Sequence, residues 1–156
     1  MKLIPVNNLF AAIIMAIIRN DCRKFMTRDQ SKITLWKQID WYFGKYTKGK
    51  DNSKLVGYLF MKGWMPIGYG FVHKEGKIVW ISGGIHSYFR GKGYGKALFS
   101  SLCTIWKRHE LWLEVFAHNT VARRIYESLK FKEFSYSEPV IHENTVITMK
   151  RSPRYV

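Results

Sequence analysis

Ile85-His86-Ser87-Tyr88-Phe89-Arg90-Gly91-Lys92-Gly93-Tyr94-Gly95-Lys96-Ala97 is the stretch around which the chain is organised. A strand-like run over 77–85 leads into it, and a helical run over 97–108 leads out. Between them sit three glycines at alternate positions and the cations Arg90, Lys92 and Lys96. A strand, a glycine turn and a helix start present bare backbone N–H groups to an anion. The helix end adds partial positive charge, and glycine lets the ligand approach the backbone. The spacing excludes two familiar phosphate loops. Only three residues separate Gly91 from Gly95, where a Walker A loop needs four, and Ala97 follows Lys96, so no hydroxyl is present for magnesium. The dinucleotide fingerprint needs two residues between its last two glycines, and here there is one.

Outward from this turn, 156 residues with 47% hydrophobic and 16% aromatic content describe one globular domain, 1–156, with a real core rather than a disordered chain. The net charge of +15 and a pI near 9.9 favour anionic partners, a nucleotide-bearing cofactor or nucleic acid. The excess is dispersed: Lys45, Lys48, Lys50 and Lys54 in one loop, the glycine turn, Lys107 and Arg108, Arg123 and Arg124, and Lys150, Arg151 and Arg154 at the end. Cys22 and Cys103 have no metal-type spacing and read as two reduced core thiols, so neither a disulfide framework nor a metal site is expected. The apolar run 9–18 is too short to span a bilayer and reads as a buried first helix. The expected setting is cytoplasmic, with no membrane partner.

In chain order, 2–6 is a first strand and Asn7 or Asn8 a helix cap, with a helix to Ile18 where Arg19-Asn20-Asp21 breaks the apolar pattern. Ser31 or Thr34 starts a second helix that Gly44 stops, followed by a lysine-rich loop over 45–53. The period then changes to strands over 54–61, 67–73 and 77–85, an antiparallel meander with turns at Lys62-Gly63 and Glu75-Gly76. Gly83-Gly84 inside the third implies a bulge or a close backbone approach. Leu98, Leu102, Ile105 and Trp106 form a helix stripe, and 110–116 is a strand. Asn119 caps a helix in which Ala122, Ile125, Tyr126 and Leu129 share a face. Strands over 131–136 and 146–150, split by a loop holding Pro139, close the chain.

Asn119 and Tyr126 are seven residues apart and point the same way on a helix, and Glu114 lies on the preceding strand. A carboxylate, an amide and a phenol converge near the C-terminal ends of two strands, the usual ligand edge of an α/β sheet. Each also has a plain structural reading, as a strand surface residue, a cap or helix packing.

Two blocks carry a resemblance to a known family. Arg90-x-x-Gly93-x-Gly95 resembles the pyrophosphate loop of the GNAT acyl-CoA N-acyltransferases. The run 111–131, with Leu113-Glu114-Val115, then Asn119-Thr120-Val121-Ala122, then Tyr126-Glu127-Ser128-Leu129-Lys130-Phe131, is similar to the second block of that family, above all in its ribosomal-protein alanine N-acetyltransferases. Together the two blocks cover about residues 66–135. The resemblance implies an α/β (α+β) fold: a mixed, mostly antiparallel central sheet of about six to seven strands, about four helices, and splayed strands around an acyl-CoA site.

It also implies roles. Backbone groups near Gly84, Ile85 and His86 would bond the pantetheine arm of acetyl-CoA. The N–H groups of the loop Arg90, Gly91, Lys92, Gly93, Tyr94, Gly95 and Lys96 would hold the pyrophosphate. Asn119 would touch the pantetheine, Tyr126 would protonate the departing thiolate, and Glu114 would serve as base. An alkylammonium cannot attack a thioester, so something must accept a proton. His86, His118, His73 or a water relay are the other candidates for that task, and a backbone N–H near 85–86 is the candidate oxyanion donor.

Two departures stand out. Lys130 occupies a helix end where the family has glycine, in a position favouring left-handed backbone, at about 1 kcal/mol. Ser82, Gly83 and Gly84 put no carboxylate on the first splayed strand, which directs attention to Glu114 or a water relay. The acceptor amine stays open between a small molecule, an amino-sugar nucleotide and a protein amine. Trp36, Trp41, Tyr42, Phe43 and Trp64 give that side aromatic as well as basic character. Alternative readings are a nucleic-acid-directed acyltransferase and a non-catalytic CoA-binding protein. Homodimerisation is also left open.

Overall fold

The computed structural model describes residues 1–48, 53–141 and 144–154. Seven strands form one mixed sheet in the order β1-β2-β3-β4-β5-β7-β6. They are β1 (Lys2–Pro5), β2 (Ser53–Lys62), β3 (Met65–Glu75), β4 (Ile78–Ile85), β5 (Glu110–Phe116), β6 (Lys132–Ile141) and β7 (Asn144–Arg151). Every neighbouring pair is antiparallel except β4 and β5. Four helices, α1 (Leu9–Asp21), α2 (Leu35–Trp41), α3 (Tyr94–Ile105) and α4 (Thr120–Ser128), complete the fold that the resemblance implies. Among the described residues no helix is long and apolar enough to cross a membrane.

Strand alternation divides the core. Tyr58 and Phe60 of β2 face the α3 and α4 layer, where Leu98, Leu102, Leu111, Leu113 and Tyr126 are buried. Leu59 between them faces α1, packing with Ala12, Met15, Ile18 and Tyr69. Cys22 and Cys103 are buried free thiols, one in each layer.

The elements depart from the sequence pattern in instructive places. Asn8 caps α1 by accepting from the Ala11 N–H, but the helix runs to Asp21 rather than Ile18. The three added residues are polar and each is held from outside. Arg19 donates to the carbonyls of Asp29 and Ser31, Asn20 pairs with the backbone of Ile33, and Asp21 accepts from Ser87. Gly44 does not stop the second helix. After Thr34 caps it, the chain passes at Tyr42 into a π-turn reaching Tyr46, whose hydroxyl donates to Val6 O and accepts from Gly57 N. Lys50, in the expected loop over 45–53, lies outside the described residues.

Gly83 and Gly84 make no bulge, since β3 and β4 keep register throughout. They answer to close approach instead: a Cβ at Gly83 would stand 2.6 Å from Tyr69 O, and one at Gly84 2.7 Å from Cys22 Sγ. Ile105 is half exposed, and the buried stripe of α3 is Leu98, Phe99, Leu102 and Cys103, continued by Trp106. Pro139 falls inside β6 rather than a loop, at a register shift between Ser137 and Ile141 on the edge strand, where a missing N–H breaks no ladder bond.

Candidate active site

The parallel pair β4–β5 is joined only over Ile78–Trp80 and Glu110–Trp112. Both strands continue, β4 to Ile85 and β5 to Phe116, without pairing to each other. A cavity of about 710 Å³ occupies the divergence, walled by Ile81 to Ile85 on one side and Leu113, Glu114 and Val115 on the other. The divergence explains why the sheet tolerates glycine here. Gly83 and Gly84 let Leu98, Tyr69 and Cys22 pack close behind a strand that has lost one neighbour.

At the mouth lies the glycine loop. Gly91 and Gly93 adopt φ of 75° and 79°, conformations that side chains resist, and no atom lies within 4 Å of where their Cβ would be. Gly93 begins α3 in left-handed geometry and no side chain caps the helix. The first-turn N–H groups of α3 therefore have no intrahelical acceptor and face the loop with the helix's positive end. Arg90 braces the turn. Its guanidinium donates to Ile85 O and Asp21 Oδ2, both at 2.8 Å, and approaches Cys22 Sγ at 3.4 Å. Its backbone N–H is spent on Ser87 O. Asp21 joins α1 to this turn. Burial raises its carboxyl, but the Ser87 hydrogen bonds, His86 and Arg90 outweigh that and hold it below the usual range.

Glu114 faces the cavity with both oxygens taken. Arg28 donates from Nε to Oε2 and from Nη2 to Oε1, at 3.0 Å and 2.6 Å, and Thr27 Oγ1 donates to Oε2 at 2.9 Å. Burial pushes its carboxyl up, and these bonds together with the Arg28 charge more than reverse the effect, so it stays ionised below the usual carboxylate range. Tyr126 lies in the cavity wall against Phe99 and Phe131. Burial raises its phenol far above the ordinary value, so it keeps its proton. Asn119 caps α4 by accepting from the Ala122 N–H at 3.2 Å and also lines the cavity.

Of the thirteen residues given a role by the resemblance, all but His86 and Lys92 line this one cavity, and the other candidate bases, His73 beside Glu75 and His118 stacked on Phe116, lie outside its wall. His86 instead caps the 3-10 turn Ser87–Phe89 through Nδ1, stands 3.9 Å from Asp21, and spends its backbone N–H on Ile67 O. Of the backbone donors considered near 85–86, the His86 N–H is thus already engaged. Lys92 reaches over the Tyr88 ring. Thr27 and Arg28 were not legible: they stand 87 and 86 residues from Glu114, and only the fold brings them there. Of the aromatic set, Trp41 lines a second cavity and Tyr42 is buried, while Trp36, Phe43 and Trp64 point to solvent.

Comparison with known proteins agrees with this geometry. The profile of the acetyltransferase (GNAT) family matches residues 15–131. The uncharacterised N-acetyltransferase YycN of Bacillus subtilis is 34% identical over 74 residues, 46% of this chain and 47% of that protein, so the match spans about half of the relative's length. The ribosomal-protein-alanine N-acetyltransferase of Brucella melitensis superposes with a TM-score of 0.79 at 15% identity, covering 97% of this chain and 99% of that one. The yncA protein of Salmonella typhimurium, solved with acetyl-CoA, gives 0.78 at 15% identity over 99% and 95%. At such identities the two structures establish the fold.

Proposed function

Because the chain belongs to the acetyltransferase (GNAT) family, we propose that it is an acetyl-CoA-dependent N-acetyltransferase that moves an acetyl group to a primary amine by direct attack in a ternary complex. The observation that carries this reading is the divergence of β4 and β5 beyond Trp80 and Trp112, with an uncapped helix start at its mouth. The gap suits a narrow pantetheine arm, and the loop N–H groups from Gly91 to Lys96 suit a pyrophosphate. Acetyl-CoA would supply the activated thioester.

The chain's own residues then divide the work. Holding both reactants in one cleft removes the entropic cost of encounter. The amine nitrogen bonds to the thioester carbon, the carbon–sulfur bond breaks, and the sulfur leaves with the electron pair. Tyr126, protonated at neutral pH, donates its hydroxyl proton to that sulfur. Glu114 takes the proton lost by nitrogen through an intervening water, since Arg28 and Thr27 already occupy both its oxygens.

The test is binding and turnover together. Acetyl-CoA at a hundredfold excess over Kd adds about 2.7 kcal/mol, equivalent to about 5–11 °C in Tm for a domain of this size. With a suitable amine, free thiol is released at a rate proportional to enzyme. Absence of both effects at millimolar acetyl-CoA refutes the proposal. The +15 charge favours a second reading, in which the acceptor is carried on nucleic acid. It requires affinity that falls steeply with salt.

A further inference from the structure

A second cavity, of about 400 Å³, lies on the α1 and α2 side of the sheet. Met26 and Ser82 belong to its wall and also to the wall of the larger cleft, so the two spaces adjoin beside the splayed part of β4. Met15, Met26 and Ile33 with the rings of Trp41, Tyr69 and Phe71 supply an apolar, partly aromatic surface. The polar groups in the wall are Arg19, Lys37, Gln38 and Ser82, with no Asp or Glu among the lining residues. Asp29, which comes within 4.0 Å of Arg19, is 68% exposed and outside the wall.

The polar groups are placed, not adventitious. Gln38 is 3% exposed, and its Nε2 donates to Ala12 O at 2.6 Å, which fixes the amide and leaves Oε1 as its acceptor. The Arg19 side chain is 14% exposed and held by the carbonyls of Asp29 and Ser31, so its charge is fixed at the pocket. Lys37 stands at the exposed rim, and its charge already contributes to holding the Asp29 carboxyl low, after the Ser31 hydrogen bonds and Arg19. A polycationic amine entering such a space leaves water and meets two cations, with no carboxylate among the lining residues to receive its remaining charges. An apolar body with one negative group meets complementary surface at both ends.

Resting on the N-acetyltransferase reading above, we infer that the acceptor is a small primary amine with an apolar, aromatic-sized body and a single anionic group, carboxylate or phosphate, seated between the Trp41–Tyr69–Phe71 wall and the Arg19–Lys37 rim, and that polyamines are rejected. The size agrees, since about 400 Å³ falls at the small end of the range for small-molecule sites.

The test uses a matched series on the full chain: 4-(aminomethyl)benzoate, 4-(aminomethyl)phenyl phosphate, 4-methylbenzylamine and spermidine. The readouts are kcat/KM from thiol release and Kd of the same compounds in the presence of CoA. The inference expects at least one anionic compound to exceed 4-methylbenzylamine about tenfold, with spermidine below it, and the two anionic arms decide between carboxylate and phosphate. Lys37→Glu, a change at an exposed rim position, is expected to erase that preference. Equal handling of charged and uncharged compounds in both readouts, or a preference for spermidine, overturns the inference. The stabilisation by acetyl-CoA is measured on the same samples. If acetyl-CoA stabilises the protein and the preference is missing, this inference alone has failed. If acetyl-CoA does not stabilise it, the reading beneath has failed with it.

Discussion

Arg28→Gln isolates what a single side chain does to the candidate catalytic carboxylate. Arg28 grips both oxygens of Glu114 at 3.0 Å and 2.6 Å. Two charge-assisted hydrogen bonds would be worth about 3–6 kcal/mol if fully desolvated. The Arg28 side chain is 75% exposed, however, against 17% for Glu114, so water competes for the guanidinium. Exposed pairs measure about 0.2–1 kcal/mol, and the shielded carboxylate places this one near the top of that range, about 1 kcal/mol. For a chain of this length that is about 2–4 °C in Tm.

The pH dependence gives the prediction its edge. The folded carboxyl of Glu114 lies below its ordinary value, because the Arg28 and Thr27 bonds and the Arg28 charge outweigh burial. Such a group contributes stability that is present above the unfolded carboxylate value and lost as pH falls through the folded one. Urea unfolding at pH 7 should therefore separate wild type from Arg28→Gln by about 1 kcal/mol beyond what is seen in acid, where the carboxyl is protonated. Loss of the Arg28 contact over the Trp80 ring adds a part that does not change with pH. In turnover, the freed carboxylate becomes more basic, and the acid limb of kcat/KM moves to higher pH. A stability loss identical at both pH values, together with an unmoved acid limb, refutes the assignment of Arg28 as the group that sets this carboxyl.

Three further outcomes are expected. Lys130 adopts φ of 72°, the only positive φ outside glycine among the described residues, so Lys130→Gly should stabilise by about 1 kcal/mol and raise Tm by about 2–4 °C in calorimetry. Tyr126→Phe should lower kcat by about a hundredfold with little change in Tm, while His86→Ala, whose ring lies outside the cleft wall, should leave kcat within about threefold of wild type. An unchanged rate in the first variant, or a collapse in the second, reverses those two roles.

The parts of the fold visible in the sequence were those written locally. The meander follows from alternation, α4 from its Asn119 cap, and the anion loop from glycines whose φ values are positive in two of three cases. Lys130 was also legible, because helix C-termini favour the left-handed region whichever residue occupies it. What failed depends on partners distant along the chain. Arg19, Asn20 and Asp21 look like helix breakers until the carbonyls at 29, 31 and 33 and the turn at Ser87 are seen to hold them. Gly44 looks like a stop until Tyr46 is seen anchored to Val6 and Gly57. At the site, the cavity wall was legible because two local blocks supply most of it. The Arg28–Glu114 fork was not, because nothing near either residue names the other.

The divergence of β4 and β5 has a consequence for how long the protein survives. Beyond Trp80 and Trp112 each strand turns an inner edge toward the cleft, away from any partner strand. Amides along such an edge exchange with solvent through smaller openings than those inside a closed ladder. A co-substrate lying between the edges would act as a missing strand and tie the two halves of the sheet together. By mass action the resistance of the chain to opening and proteolysis would then track the supply of acetyl-CoA. The protein's lifetime would follow the metabolic state that also sets its rate.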